Sequence, residues 1–319
     1  MSRTLVVIKE LPEHLRERIR TTAEQHGFQP LFFSSVRPAA DALREAEVVL
    51  GYSPRIPSLA PNLKWFCTTF AGIDLLRGPD VFPNPEVLVS NSSGAYGVTI
   101  SEHIIMVTLY MLRKLGPYEE LVHSHVWKND LPVSSIKGAH ITLLGTGDIG
   151  TATAKRLRAF EPASIIGVNR SGICPDAVYD SFIPAQDMDD VLGNTDILIS
   201  SLPGTPYTKG LLSAHRLSLL HDQALIVNVG RGIVIDQAAL VQELQNGRLL
   251  AALDVFETEP IPEDDPLYNC PNLLITPHCS GNMSLPYTVE RVVDLFLEDF
   301  ERYCKNEPLL REVDLKIGY

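Results

Sequence analysis

A cation, three acids and an imidazole stand where three apolar runs of the C-terminal half give out. The run "ALIVNVGRG" ends in Arg231, between two glycines; "LAALDVFETEP" ends in Asp254, Glu257 and Glu259; "NLLITPHCSG" reaches His278 and then small or polar residues. Runs of this kind read as strands of a parallel sheet, and open α/β sheets bind ligands beyond the carboxyl ends of their strands. The three residue types suit carbonyl reduction. Arg231 can hold a carboxylate through two parallel N–H bonds. His278 can exchange a proton with a carbonyl oxygen near neutral pH, and a neighbouring carboxylate would orient its ring and favour the protonated form.

Such a reduction needs a hydride source, and the stretch "ITLLGTGDIGTATAKRL" points to one. It places Gly145, Gly147 and Gly150 in G-x-G-x-x-G order between an apolar strand and a helix. The first glycine permits a tight turn and the second lets the backbone approach a pyrophosphate. The third lets helix and strand pack closely, and the helix N-terminus offers free N–H groups to the phosphates. About 20 residues on, an NAD site presents an acid to the adenosine ribose. Here "IIGVNRSG" offers Asn169, Arg170 and Ser171 instead. No carboxylate repels a 2′-phosphate, Arg170 can pair with one, and Ser171 can add a hydrogen bond. The expectation is NADP(H) preferred, with NAD(H) possible. The other reading of Arg170 is an ordinary surface arginine, with selectivity set elsewhere.

The elements that must position these residues alternate along the chain. In the first hundred residues "TLVVIKE", "PLFF", "AEVVLGY", "LKWFCTTF" and "EVLVSN" read as strands, with helices at about 12–26 and 38–46. A second alternation starts near residue 139. Its strands are "AHITLLG", "SIIGVN", "DILISS", "ALIVNVG", "LAALDVF" and "NLLITPH", with helices at about 148–160, 187–193, 213–220 and 236–246. Strand–helix alternation implies parallel sheets with right-handed crossovers. The segment 101–115 is apolar on almost every side, which predicts a helix buried all round between two domains. A last amphipathic helix, about 286–304, is expected to return to the first domain. The resulting division is 1–100, 101–283 and 284–319, with the middle segment inserted in a domain made by the other two.

Composition narrows the class. The chain has 319 residues, about two domains by the rough prior of ~150 residues each. A net charge of −12 argues against a general nucleic-acid or anionic-membrane binder. The longest near-continuous apolar run, "IIMVTLYML", falls far short of the ~20 residues of a membrane span. The start, "MSRTLVVIKELPE", has too short an apolar run for a signal peptide. The cysteines, Cys67, Cys174, Cys270, Cys279 and Cys304, are odd in number and form no paired metal spacing, which suits a reducing, cytoplasmic compartment.

With those residues in hand, the sequence resembles the D-isomer-specific 2-hydroxyacid dehydrogenases. The motifs are "LLGTGDIG", "SLPGTPYTKGLL", "NVGRG", "LDVFETEP" and "TPHCSG", with weaker support from "TTFAGIDLL" and "NSSGAYGVTISEH". The likeness covers nearly the whole chain. It implies a Rossmann cofactor domain inserted in a flavodoxin-like substrate domain, both doubly wound parallel sheets. It implies Arg231 as the substrate-binding arginine, His278 as catalytic acid/base and Glu259 as the partner of that histidine. Asp254 matches an aspartate that helps hold the nicotinamide carboxamide. Asp148 and Ile149 of the glycine loop, Leu202 and Pro203, Val229, His278 and Gly281 fall at cofactor positions. Backbone N–H groups around Ala71, Gly72 and Ile73 are expected to receive the substrate carboxylate, and subunits to dimerise through the cofactor domain. The absent ribose acid points to the glyoxylate/hydroxypyruvate reductase branch, which uses NADPH. "GVTISEH" departs from the pattern, so no catalytic role passes to Glu102 or His103.

Other features stay secondary. Tyr52 and Phe70 end strands of the first domain, where a substrate wall and core packing suit them equally. His123 and His125 form an H-x-H pair with no further ligand at metal spacing, and no metal is expected. Cys279 reads as a small packing residue, Trp127 as part of a dimer arm or a core filler, and "PEDDP" as a solvated loop. Two rival classes remain: a dinucleotide-sensing corepressor-like binding protein, and a phosphite- or formate-oxidising relative.

Overall fold

The computed structural model describes residues 3–78, 81–173 and 176–318, so Cys174 lies outside the described residues. The apolar runs of the first hundred residues form five strands, β1 (Arg3–Ile8), β2 (Phe28–Phe33), β3 (Ala46–Gly51), β4 (Trp65–Thr68) and β5 (Leu88–Ser90). They lie in the order β2-β1-β3-β4-β5 and every pairing is parallel. Helices α1 (Glu13–Gln25), α2 (Ala40–Arg44) and α3 (Ile56–Leu59) fall between them. The near-continuous apolarity of β1 follows from burial on both faces. Leu5 and Val7 join one core with Leu15 and Ile19 of α1, while Val6 and Ile8 join another with Leu43 and Ile56.

After helices α4 (Gly97–Leu112) and α5 (Leu115–His123), seven further strands follow. They are β6 (His140–Leu144), β7 (Ser164–Asn169), β8 (Ser181–Pro184), β9 (Ile197–Ser200), β10 (Leu225–Asn228), β11 (Leu250–Leu253) and β12 (Leu273–Ile275). Their order is β12-β11-β10-β9-β6-β7-β8, again parallel throughout. The order in which successive strands are added reverses between β6 and β9, the switch point at which such sheets open a crevice. Helices α6 (Asp148–Leu157), α7 (Asp189–Leu192), α8 (Ala214–Leu219) and α9 (Gln237–Gln245) cross between these strands. Last comes α10 (Pro286–Cys304), whose Val289, Val293, Phe296 and Phe300 enter the same core as α1. Both sheets are therefore of the doubly wound class, with the first in flavodoxin-like and the second in Rossmann-like order.

One compact unit runs to Tyr96 and resumes at Met283; the other spans Gly97–Asn282. The second unit begins where α4 starts, at Gly97. That helix corrects the expectation of burial all round. Ile100, Ile104 and Val107 are buried, but Met106 is 55% exposed. Leu115 belongs to the next helix and is 47% exposed. By its packing on α6, α4 is part of the second unit. Apolar composition does not say which face finds a neighbour. The edge strand β8 escaped the sequence reading because it is four residues long, half exposed and ends in proline. Among the described residues no helix is long and apolar enough to cross a membrane.

Candidate active site

The glycine loop follows β6 directly. Gly145 has φ +97°, a conformation that favours glycine, and its N–H donates to the Val168 carbonyl at 2.9 Å. Gly147 caps α6, and a β-carbon there would meet open space; at Gly150 one would run into the Gly145 carbonyl oxygen. Bare backbone beside the N-terminus of a ten-residue helix fits a dinucleotide pyrophosphate. Asp148 lies in the first turn of α6, where a carboxylate complements the helix dipole. Its side chain packs against Gly97 at the start of α4, so a β-carbon at 97 would sit 2.8 Å from Asp148 Cγ. The Asp148 side chain is thus turned to Gly97, and Ile149 is half-buried.

At the end of β7, Asn169 builds the turn that follows. Its Oδ1 accepts from the N–H groups of Ser171 at 3.0 Å and Gly172 at 2.7 Å. Its Nδ2 donates to Thr146 Oγ1 at 2.8 Å and to the Ile173 carbonyl at 3.0 Å. The amide thus ties the turn to the glycine loop through Thr146 and also holds the Ile173 carbonyl, and the second bond is one a carboxylate could not make because it lacks a donor. Arg170 and Ser171 ride on this turn, both exposed.

At the other half of the sheet, Asn228 ends β10 and shapes "NVGRG". Its Nδ2 donates to the Arg231 carbonyl at 3.0 Å and its Oδ1 accepts from Gly230 N–H at 3.2 Å. The flanking glycines are steric necessities. A β-carbon at 230 would sit 2.7 Å from Leu202 N, and one at 232 would collide with the Phe256 backbone. Gly204 leaves room for the stem of Arg231, whose Cγ would be 3.2 Å from a β-carbon there. Leu202 and Pro203 form the strand-end segment beside this turn, and Val229 is buried, its N–H on the Ser200 carbonyl at 3.0 Å.

Beyond β11 the three acids separate. Glu257 exchanges contacts with Gln237 at the start of α9 and takes no part in the histidine site. Glu259 accepts from Phe256 N–H at 2.9 Å and lies 2.6 Å from His278 Nδ1. A carboxylate can only accept from this ring, so Nδ1 carries the hydrogen and Nε2 is left for chemistry. His278 itself holds φ +50°, its N–H on the Asp254 carbonyl at 2.9 Å. Asp254 is 1% exposed. Its Oδ1 accepts from Thr276 Oγ1 at 2.6 Å and Cys279 N–H at 3.0 Å, and its Oδ2 from Ser280 N–H at 3.0 Å. Those bonds shape the loop around His278, and Gly281 closes it half-buried. Glu259, His278 and Arg231 stand at neighbouring strand ends, whereas Asn169–Ser171 lie across the switch point.

The remaining candidates belong to the first unit. Tyr52 and Phe70 follow β3 and β4, with ring centroids 4.6 Å apart in an edge-on pair, and Phe70 stacks on Tyr96 at 6.2 Å. Ala71 and Gly72 are half-buried; Asn91 Nδ2 holds the Ala71 carbonyl at 2.9 Å, and the Ile73 side chain is 2% exposed in the core. Sequence reasoning missed Thr276, Ser280, Asn228 and Thr146, which shape the loops. Asn228 alone left a signal, as the polar residue that breaks "ALIVNVG".

The chain is similar to known proteins over nearly its whole length. The family model described as D-isomer specific 2-hydroxyacid dehydrogenase, NAD binding domain, matches residues 105–280. Glyoxylate/hydroxypyruvate reductase B of Serratia proteamaculans is 28% identical over 98% of this chain and 100% of its own. A D-isomer specific 2-hydroxyacid dehydrogenase of Xanthobacter autotrophicus Py2, solved with NADPH and MES, is 27% identical with a TM-score of 0.82 over 100% of both chains. An NADPH-dependent glyoxylate/hydroxypyruvate reductase of Sinorhizobium meliloti, solved with NADP and sulfate, is 26% identical with a TM-score of 0.80, again over 100% of both.

Proposed function

The chain belongs to the D-isomer specific 2-hydroxyacid dehydrogenase family, and we propose that it reduces a small 2-oxoacid to the D-2-hydroxyacid with NADPH as preferred donor and NADH as a poorer one. The observation that carries this reading is the 2.6 Å contact between His278 Nδ1 and Glu259, at the strand ends that also present Arg231. When bound, a nicotinamide dinucleotide would supply the hydride. Gly145, Gly147 and the first turn of α6 would hold its pyrophosphate, and Arg170 with Ser171 would hold the 2′-phosphate. Leu202, Pro203, Val229 and Gly281 would border it.

Arg231 binds the substrate carboxylate and keeps the carbonyl facing His278. Glu259 fixes the imidazole so that Nε2 delivers its proton to the carbonyl oxygen as that oxygen gains charge. Asp254 acts from beneath, holding the histidine loop rather than reaching outward. The names of the relatives, glyoxylate/hydroxypyruvate reductases, support a small substrate. The exposed Asn169–Ser171 turn, without an acid, supports the NADP choice.

A homodimer through the cofactor domain is supported by exposed apolar side chains at its start, Val122 at 63% and Trp127 at 95%. A cytoplasmic location suits the free thiols of Cys67, Cys270, Cys279 and Cys304. The test is a set of initial rates with glyoxylate, hydroxypyruvate, pyruvate and bulkier 2-oxoacids, each with NADPH and NADH. Turnover of the small acids, faster with NADPH, is expected. Tight dinucleotide binding with no turnover would favour the corepressor-like reading.

A further inference from the structure

We propose that His103 of α4 is a positioning residue for the acid–base histidine, acting through Thr276 and Asp254 on the 276–280 loop. The inference rests on the role assigned to His278. His103 has its side chain 11% exposed, and its Nε2 lies 3.3 Å from Thr276 Oγ1 and 4.0 Å from Asp254 Oδ1.

The direction of the hydrogen bonds follows from chemistry. A carboxylate cannot donate, so the Thr276 hydroxyl must give its hydrogen to Asp254 across 2.6 Å. The hydroxyl then has only lone pairs for the imidazole, and His103 must present Nε2–H to it. Burial lowers the His103 pKa below its ordinary value, against the opposing pull of Asp254, so the ring carries one hydrogen at neutral pH. A donor chain results, from His103 through Thr276 to Asp254.

Its end point matters because Asp254 also gathers the N–H groups of Cys279 and Ser280. These directly follow His278, whose own N–H is bound by the carbonyls of Asp254 and Thr276 at 2.9 and 3.0 Å. The positive φ of His278 is thus held from both sides. Without the His103 donor, Thr276 loses the contact that fixes its rotamer, and the loop gains freedom at the residue that must aim Nε2.

The experiment combines kinetics with nitrogen-15 spectra of the histidine rings, the His278 signals being assigned with His278→Gln. Three variants are compared with the wild type. His103→Leu and Thr276→Val break the chain; His103→Gln can still donate to Thr276. The two breaking variants should lower kcat with hydroxypyruvate about tenfold, the worth of one net hydrogen bond. Their KM should stay within about twofold, and the His278 ring signals of the free enzyme should shift or broaden. His103→Gln should restore both readouts. Wild-type kcat and ring signals in either breaking variant would overturn the proposal. If the wild type reduces no 2-oxoacid, the enzymatic reading fails by itself, and the ring signals still decide whether His103 orders the loop.

Discussion

The two halves of the seven-stranded sheet handle charge in opposite ways. Beyond β10–β12 the charged groups are wired: Asp254 is 1% exposed and takes three hydrogen bonds, and Glu259 is divided between a backbone N–H and His278. Beyond β7 the fixed group is a neutral amide, Asn169, and the cation it presents, Arg170, stands at the surface. Chemistry requires atoms held to fractions of an ångström, which a set of mutually braced hydrogen bonds supplies even where, as at Glu259 and His278, the side chains are partly exposed. Discrimination between two cofactors requires one charge in reach of one phosphate, which a surface turn supplies. The first arrangement is costly to alter and the second is cheap.

That contrast sets the order of expected effects. His278→Gln removes the proton donor and should lower kcat by about 10²–10⁴, the usual range for general acid–base catalysis, with NADPH affinity unchanged in a titration of its fluorescence. Arg231→Ala should lower kcat/KM about a hundredfold through loss of charge-assisted bonds to the carboxylate, seen mainly in KM for the oxoacid. Arg170→Ala should raise KM for NADPH roughly tenfold and leave NADH kinetics as they were. An equal loss with both cofactors would break the comparison, since Arg170 would then serve the fold. Glu259→Gln keeps an acceptor for Phe256 N–H but removes the carboxylate from His278, so a loss of about tenfold in kcat should appear with little change in melting temperature.

The legibility of these regions in the sequence differs for physical reasons. Period and apolarity marked every central strand, because a parallel sheet covered on both faces demands continuous apolar runs. They missed β8, which the sheet covers on one side only. Gly145, Gly147 and Gly150 were readable as a spaced motif, since Gly145 holds a positive φ, Gly147 leaves open space for a close approach and Gly150 has no room for a β-carbon; Arg231 and His278 were readable because each closely follows an apolar run. Of the three acids after β11, spacing alone could not tell Glu259 from Glu257; the motif resemblance singled out Glu259, and its side chain lies 2.6 Å from His278 Nδ1. The support beneath His278 was illegible for the same reason. His103 and Thr276 are far apart in sequence and meet only when α4 is laid on the second unit. Asn169 was read as a missing acid, but its amide is an active part, holding the turn to Thr146.

The central claim is hydride delivery to the carbonyl carbon of a 2-oxoacid, and its most direct test is isotopic. The enzyme would be given hydroxypyruvate and NADPH deuterated at C4 on each face in turn, and the product analysed by mass spectrometry and chiral chromatography. The account predicts D-glycerate carrying one deuterium at C2 from one labelled face only. Cofactor oxidation with no deuterium on C2, or no product at all from any small 2-oxoacid, would contradict it.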